Sequence, residues 1–221
     1  MRITISGPSA SGKGTVSRRF AQQYGLVYID IGLIFRCSAF FLYRGMIRNV
    51  SEMKGLLTRS VWEYVWDGSH AQIRVAKSIL EKELADPVIA ERASELAAES
   101  EQFAELVDLA NQIMSGHDRL IVDGRSAGTI FLADADAKFY LDASADVRAR
   151  RRHADLLSLG YKTTYEDVLM ELRRRDERDQ TRQLDPLTVP AGAEVIATDQ
   201  MTCENVIKCM QASLKRAGFD S

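Results

Sequence analysis

The sequence predicts an α/β protein with a central parallel sheet, a small antiparallel insertion and a helical lid. Three observations predict it: residues 2–24 run from a strand through a glycine-rich loop into a helix, later apolar runs end in aspartates, and the periodicity changes between about residues 45 and 82.

Residues 2–6 form a short β-rich run that breaks at Gly7-Pro8, and Lys13 to Tyr24 places Val16, Phe20, Ala21 and Tyr24 at helical spacing. Leu26-Val27-Tyr28-Ile29 is a second strand closed by Asp30 and Gly32, and the apolar and aromatic stretch Leu33–Tyr43 is a buried helix. This β-α-β-α opening implies parallel strands. Trp62–Trp66 and Ala71–Val75 flank Asp67-Gly68-Ser69, which predicts a hairpin turning at Asp-Gly. Pro87 suits the first turn of a long helix with Asp86 as N-cap and with Ile89, Ala93, Leu96 and Ala97 on one face, running on toward Met114. Leu120-Ile121-Val122 and Phe139-Tyr140-Leu141 are core strands ending in Asp123 and Asp142, and Ser144 caps the helix that follows. Between residues 146 and 182 two charged helices meet at Gly160–Thr164, a pair able to hinge over a site. Ala193–Ala197 is a last strand and Glu204–Lys215 a last helix.

At 221 residues the chain is long enough for one domain or one domain with an insertion, and with 46% hydrophobic and 27% charged residues it falls outside the disordered class. No apolar run approaches the roughly 20 residues of a membrane span. The first residues lack the apolar core of a secretory signal, so a cytoplasmic location is expected. Cys37, Cys203 and Cys209 form neither an even set nor a metal-ligand spacing and read as small buried residues in a reducing compartment. A formal charge of −2 argues against a nucleic-acid polymer as partner. That balance averages unlike regions, since residues 81–108 carry nine acidic and two basic side chains while 146–182 carry ten basic and eight acidic.

Gly7-Pro8-Ser9-Ala10-Ser11-Gly12-Lys13-Gly14-Thr15 has the glycine spacing and lysine of a phosphate-binding loop, with Gly14 where a hydroxyl usually follows the lysine. Lying between strand and helix, it predicts a P-loop nucleoside triphosphate hydrolase-type fold in which backbone N–H groups cradle a polyphosphate. Lys13 then reaches the terminal phosphates and Thr15 a magnesium ion. Arg125 follows the strand-ending Asp123, and Arg148, Arg152, Arg175, Arg178 and Arg182 lie on the late helices, with Arg148/Arg152 and Arg175/Arg182 spaced to share helix faces. Phosphoryl transfer needs such groups, because its catalysis is largely positioning and charge neutralisation.

These residues carry a resemblance to the cytidylate kinase family of the nucleoside monophosphate kinase group. It rests on residues 7–15, Asp30-x-Gly32-x-x-x-Arg36, Asp123-Gly124-Arg125, Lys138-x-x-Leu141-Asp142-Ala143-Ser144, Arg148-x-x-Arg151-Arg152, and Arg175-Asp176-x-Arg178-Asp179-x-x-Arg182 before Asp185-Pro186-Leu187. The resemblance implies ATP at Gly7, Ser9, Ser11, Gly12, Lys13, Gly14 and Thr15, with Arg148 and Arg152 near its adenine and phosphates. It implies a nucleoside monophosphate held by Arg36, Arg125 and Arg182, with Arg175 and Asp179 near the sugar, and Asp123 and Thr15 toward Mg²⁺. Catalysis falls to Lys13, Arg125, Arg152 and Arg182. The same resemblance divides the chain into a core of residues 1–44, 83–158 and 183–221, a monophosphate-binding insertion at 45–82 and a lid at 159–182, and a monomer is expected.

The departures bear on the acceptor. Ile31 and Phe35 replace two hydroxyl residues, Ser126 replaces an aspartate that reads the cytosine amino group, and Phe103 stands where a base-contacting arginine is expected, whereas Ser94 matches the family's base-contacting serine. Stacking on Phe35 or Phe103 is one replacement. Three readings follow: transfer to CMP or dCMP, the same chemistry on a non-cytosine or modified nucleotide or other small metabolite, or a nucleotide-binding protein without transfer. His70, His117 and His153 are scattered without ligand spacing, and Trp62 and Trp66 read as packing against the insertion.

Overall fold

The chain opens with β1 (Arg2–Ser6), the glycine loop and α1 (Lys13–Tyr24), then β2 (Val27–Asp30) leading directly into α2 (Ile31–Tyr43). These residues belong to a computed structural model that describes residues 1–76 and 78–219; Lys77 of the insertion and 220–221 of the last core segment lie outside the described residues. Asp30 caps α2 by accepting from Leu33 N at 2.9 Å. The insertion follows with α3 (Ser51–Thr58) and an antiparallel sheet of β3 (Trp62–Trp66), β4 (Ala71–Val75) and β5 (Ser78–Ile79). Next come α4 (Glu81–Ala85), α5 (Pro87–Leu96), α6 (Ser100–Met114), β6 (Leu120–Gly124) and a π-helical turn at Ala127–Phe131. The chain closes with β7 (Ala137–Asp142), α7 (Ala145–Ser158), α8 (Tyr165–Thr181), β8 (Glu194–Ala197) and α9 (Cys203–Arg216).

The central sheet has the order β2-β6-β1-β7-β8, and every pairing is parallel. Its middle strands are buried on both faces, as a parallel sheet covered by helices requires. Val16 and Phe20 of α1 pack on one face with Val206, Ile207 and Met210 of α9, while α2, α3, α5 and α6 build the core of the other. Ala149 and Leu156 of α7 meet Val168 and Leu172 of α8 in a separate small cluster. The register sets Asp30 beside Asp123 and Ser6 beside Gly124, so the carboxyl ends of β2, β6 and β1 line up. In open α/β sheets that edge is where ligands bind.

Three sequence expectations need correction. The long helix from Pro87 toward Met114 is two helices: the apolar stripe is continuous in sequence, but Glu99 is extended (φ −92°, ψ 118°), and α5 packs along α2 while α6 reaches α3 and the π-helical turn. The stretch read as purely antiparallel contains α3, anchored by the fully buried Met53 and by Trp62, whose indole N–H donates to Met53 O at 3.1 Å. Of the cysteines only Cys37 is buried; Cys203 and Cys209 are half-buried.

Candidate active site

The glycine loop is fixed from outside before anything binds. Gly7, at φ 144°, lies so close to β7 that a Cβ there would sit 2.2 Å from the Leu141 carbonyl oxygen, and Gly12 starts α1 at φ 97°. Helix α7 braces the loop: Arg148 donates to Ser9 O at 3.3 Å and Arg151 to Ser11 O at 3.3 Å, and the Thr198 hydroxyl also reaches Ser11 O at 3.1 Å. Lys13 folds over the loop, Nζ donating to Pro8 O at 2.7 Å.

Beside the loop lies a cleft of about 710 Å³, lined by Ser9, Lys13 and Gly14 from the loop, Asp30 and Asp123 from the strand ends, and Arg36, Arg125, Arg152, Arg175 and Arg182 from four further segments. Cations outnumber carboxylates on this lining. Lys13 is held down at about 8, chiefly by burial, and Arg175 at about 9 by burial and then by the charge of Arg125. Burial lowers Arg152 and Arg182 as well. Asp123 is pushed up to about 7, by burial first and then by the charge of Asp30. The buried atoms Arg125 Nη2, Arg175 Nε and Ser94 Oγ have no hydrogen-bond partner. Buried donors left unpaired, on cations that repel one another, describe a site prepared for a polyanion.

The carboxylates suit a divalent cation that travels with phosphates. Magnesium keeps several waters and takes one or two protein carboxylates plus phosphate oxygens, and it would relieve the repulsion between Asp30 and Asp123. Among the described residues there is no group of three or more His, Cys, Asp or Glu placed to hold a metal by themselves.

Not every residue singled out in the sequence enters the cleft. Thr15 is exposed on α1 and absent from the lining, because a helical position two residues past Lys13 faces nearly the opposite way. The space beside Gly14 is approached instead by Tyr28, whose hydroxyl lies 3.4 Å from where a Cβ would stand and donates to Asp123 at 3.1 Å. Arg148 is also outside, its guanidinium committed to Asp176 at 3.0 and 2.5 Å and to Ala143 O at 2.9 Å, so it braces the loop. Gly7, Ser11 and Gly12 shape the loop without lining the cleft, whereas Arg36, Ser94, Phe103, Arg125, Ser126, Arg152, Arg175, Asp179 and Arg182 all reach it. Arg36 pairs with Asp30 at 3.2 Å, and Arg125 donates to the buried Asp179.

At the far end the lining turns apolar. Phe35, Phe103 and Phe131 meet edge to face with centroids 6.1 to 6.2 Å apart, and the Arg182 guanidinium lies 5.9 Å over Phe103. Ile31 packs on Gly124, whose Cβ would stand 3.1 Å from its own. Phe35 and Phe103 thus share one packed corner with Phe131, and Ile31, Ser94 and Ser126 line the same cleft. Tyr28, Phe131 and Asp185 also belong to the site although the sequence assigns them no role; Tyr28 is marked by its bond to Asp123 across the sheet, Phe131 by its packing on Phe35 and Asp185 by its contact with Ser126.

The chain is similar to known proteins over nearly its whole length. The profile of the family described as cytidylate kinase matches residues 3–216. A cytidylate kinase of Caldanaerobacter subterraneus subsp. tengcongensis is 32% identical over 216 residues, covering 98% of this chain and 95% of the relative. One from Methylocella silvestris is 35% identical, covering 94% of this chain and 91% of the relative. Among solved structures, an uncharacterized protein from Eubacterium ventriosum superposes with a TM-score of 0.51 at 12% identity over 97% of this chain and 98% of the other, a likeness of fold alone. Among the described residues no helix is long and apolar enough to cross a membrane.

Proposed function

The chain belongs to the cytidylate kinase family, and from that premise we propose that it transfers the γ-phosphoryl group of ATP to CMP or dCMP, giving the diphosphate and ADP. The observation that carries this reading is the convergence of Lys13, Arg36, Arg125, Arg152, Arg175 and Arg182 on one cleft beside a glycine loop, with buried guanidinium N–H groups left unpaired.

The loop N–H groups and Lys13 hold the β- and γ-phosphates, and Arg36, Arg125 and Arg182 hold the acceptor phosphate with Arg175 and Asp179 toward the sugar. Arg152 faces the transferring group from α7. Planar guanidiniums fixed before the reaction offset charge on the three moving oxygens without a covalent intermediate. Magnesium, when bound with the nucleotide, neutralises phosphate charge, and Asp123 with Asp30 fits it; Thr15 has no such support. Residues 45–82 take the monophosphate between the insertion and the core of 1–44, 83–158 and 183–221. Residues 159–182 close as a lid and exclude water that would otherwise accept the phosphoryl group. The assembly we read is a monomer, and three free cysteines suit a reducing, cytoplasmic setting.

Coupled ADP release over CMP, dCMP, UMP, dUMP, AMP and GMP tests the reading. CMP or dCMP is expected to lead clearly. Preference for another base would favour the alternative acceptor suggested by the apolar corner, and tight ATP binding without transfer to any acceptor would leave a nucleotide-binding protein.

A further inference from the structure

Ser126 stands on the cleft wall with its hydroxyl held in one direction. Its Oγ donates its only proton to the Asp185 carboxylate and accepts from Arg182 Nη2 at 3.2 Å. Asp185 is itself tied down: Thr129 Oγ1 donates to it at 3.0 Å, Arg182 Nη2 at 3.2 Å, and Arg182 Nε reaches its backbone oxygen at 2.6 Å, with the side chain only 8% exposed. The backbone of Asp185 is left-handed, φ 49°, immediately before Pro186. That conformation is disfavoured before proline and persists where the surroundings over-determine it.

We propose that Asp185 is a positioning residue which, through Ser126, turns this wall into an acceptor and so selects an acceptor base bearing an exocyclic amino group over one bearing a carbonyl there. A serine hydroxyl has one proton and two lone pairs. The carboxylate takes the proton and Arg182 one lone pair, which leaves the other for the ligand. An amino N–H donates to it. A carbonyl oxygen in the same place would oppose acceptor to acceptor and leave both buried without partners. Chained hydrogen bonds polarise one another, so the Ser126 oxygen backed by a carboxylate is a stronger acceptor than a free hydroxyl. The carboxylate lost from position 126 thereby acts from position 185. This inference rests on the proposed transfer to CMP.

The test is the ratio of kcat/KM for CMP to that for UMP at saturating ATP and magnesium, in the wild type and in Asp185→Gly, Asp185→Asn and Ser126→Ala. Glycine accepts the left-handed backbone and removes the carboxylate. Asp185→Gly and Ser126→Ala are expected to lower the ratio about tenfold, the scale of one hydrogen bond. Asp185→Asn is expected to keep it, since the amide oxygen can retain Ser126 and Arg182 with its NH₂ toward Thr129. If Asp185→Gly folds poorly, Ser126→Ala carries the same readout. Equal losses for both nucleotides, the mark of a structural role, would overturn the proposal, as would a wild type that uses CMP and UMP alike. A wild type that phosphorylates neither overturns the proposed function as well.

Discussion

The two ends of the cleft solve different problems. At the phosphate end, Lys13, Arg125, Arg152 and Arg175 come from separate segments, and Arg125 and Arg175 each keep a buried nitrogen unpaired. At the base end, Phe35, Phe103 and Phe131 pack into a corner, and discrimination is left to a few hydroxyls whose direction is set by neighbours. Neutralising a polyanion tolerates some redundancy among cations. Choosing between an amino group and a carbonyl depends on where one proton sits.

The largest expected effect tests the phosphate end. Lys13→Ala removes the charge laid over the loop and should lower kcat about 100-fold or more with the fold retained by circular dichroism, on the scale of losing one preorganised electrostatic contact. Near-normal turnover would mean that the arginines suffice alone. A smaller effect sharpens the base end: Phe35→Tyr adds a hydroxyl to the ring corner built with Phe103 and Phe131 and should cost about 1 kcal/mol in a denaturant melt without lowering KM for CMP. A tighter KM at unchanged stability would show that this corner still accepts polar reading. The smallest effect is in pH dependence. Asp123 is pushed up to about 7 from 3.8. Between those values the folded, nucleotide-free protein holds a proton that the unfolded chain has released, so this group's contribution to stability falls as pH rises from about 4 to about 7. Lys13, lowered from 10.5 to about 8, acts above that window and in the opposite sense, stability rising as pH goes from about 8 toward about 10. Melting temperatures across pH 5 to 7.5 should therefore decline less in Asp123→Asn than in the wild type, and parallel curves would remove Asp123 as the source.

Local signals carried much of the fold. The strand, glycine loop and α1 were legible because their geometry is written in consecutive residues, and the caps at Asp86 and Ser144 act as expected, accepting from Val88 N at 2.8 Å and Val147 N at 3.4 Å. The break between α5 and α6 was hidden because Leu96 and Phe103 keep one helical stripe across it, and α3 because residues 51–58 are too short to show a period. The π-helical turn was equally silent. It places Gly128 where a Cβ would stand 2.9 Å from Thr4 and from Pro190, both remote in sequence.

By itself the sequence determined which residue types are present at phosphate-binding spacing, the strand-ending aspartates and the family to which they belong, since motifs and helix periods are set by neighbours along the chain. Only the tertiary structure decided which arginines are free. Arg148 and Arg175 look alike in sequence, yet Arg148 is spent on Asp176 across the α7–α8 packing while Arg175 reaches the cleft with an unpaired Nε. It also decided that Asp185 stands behind Ser126. A charge acts through space, so whether it braces the fold or waits for a ligand depends on what the folded chain sets beside it.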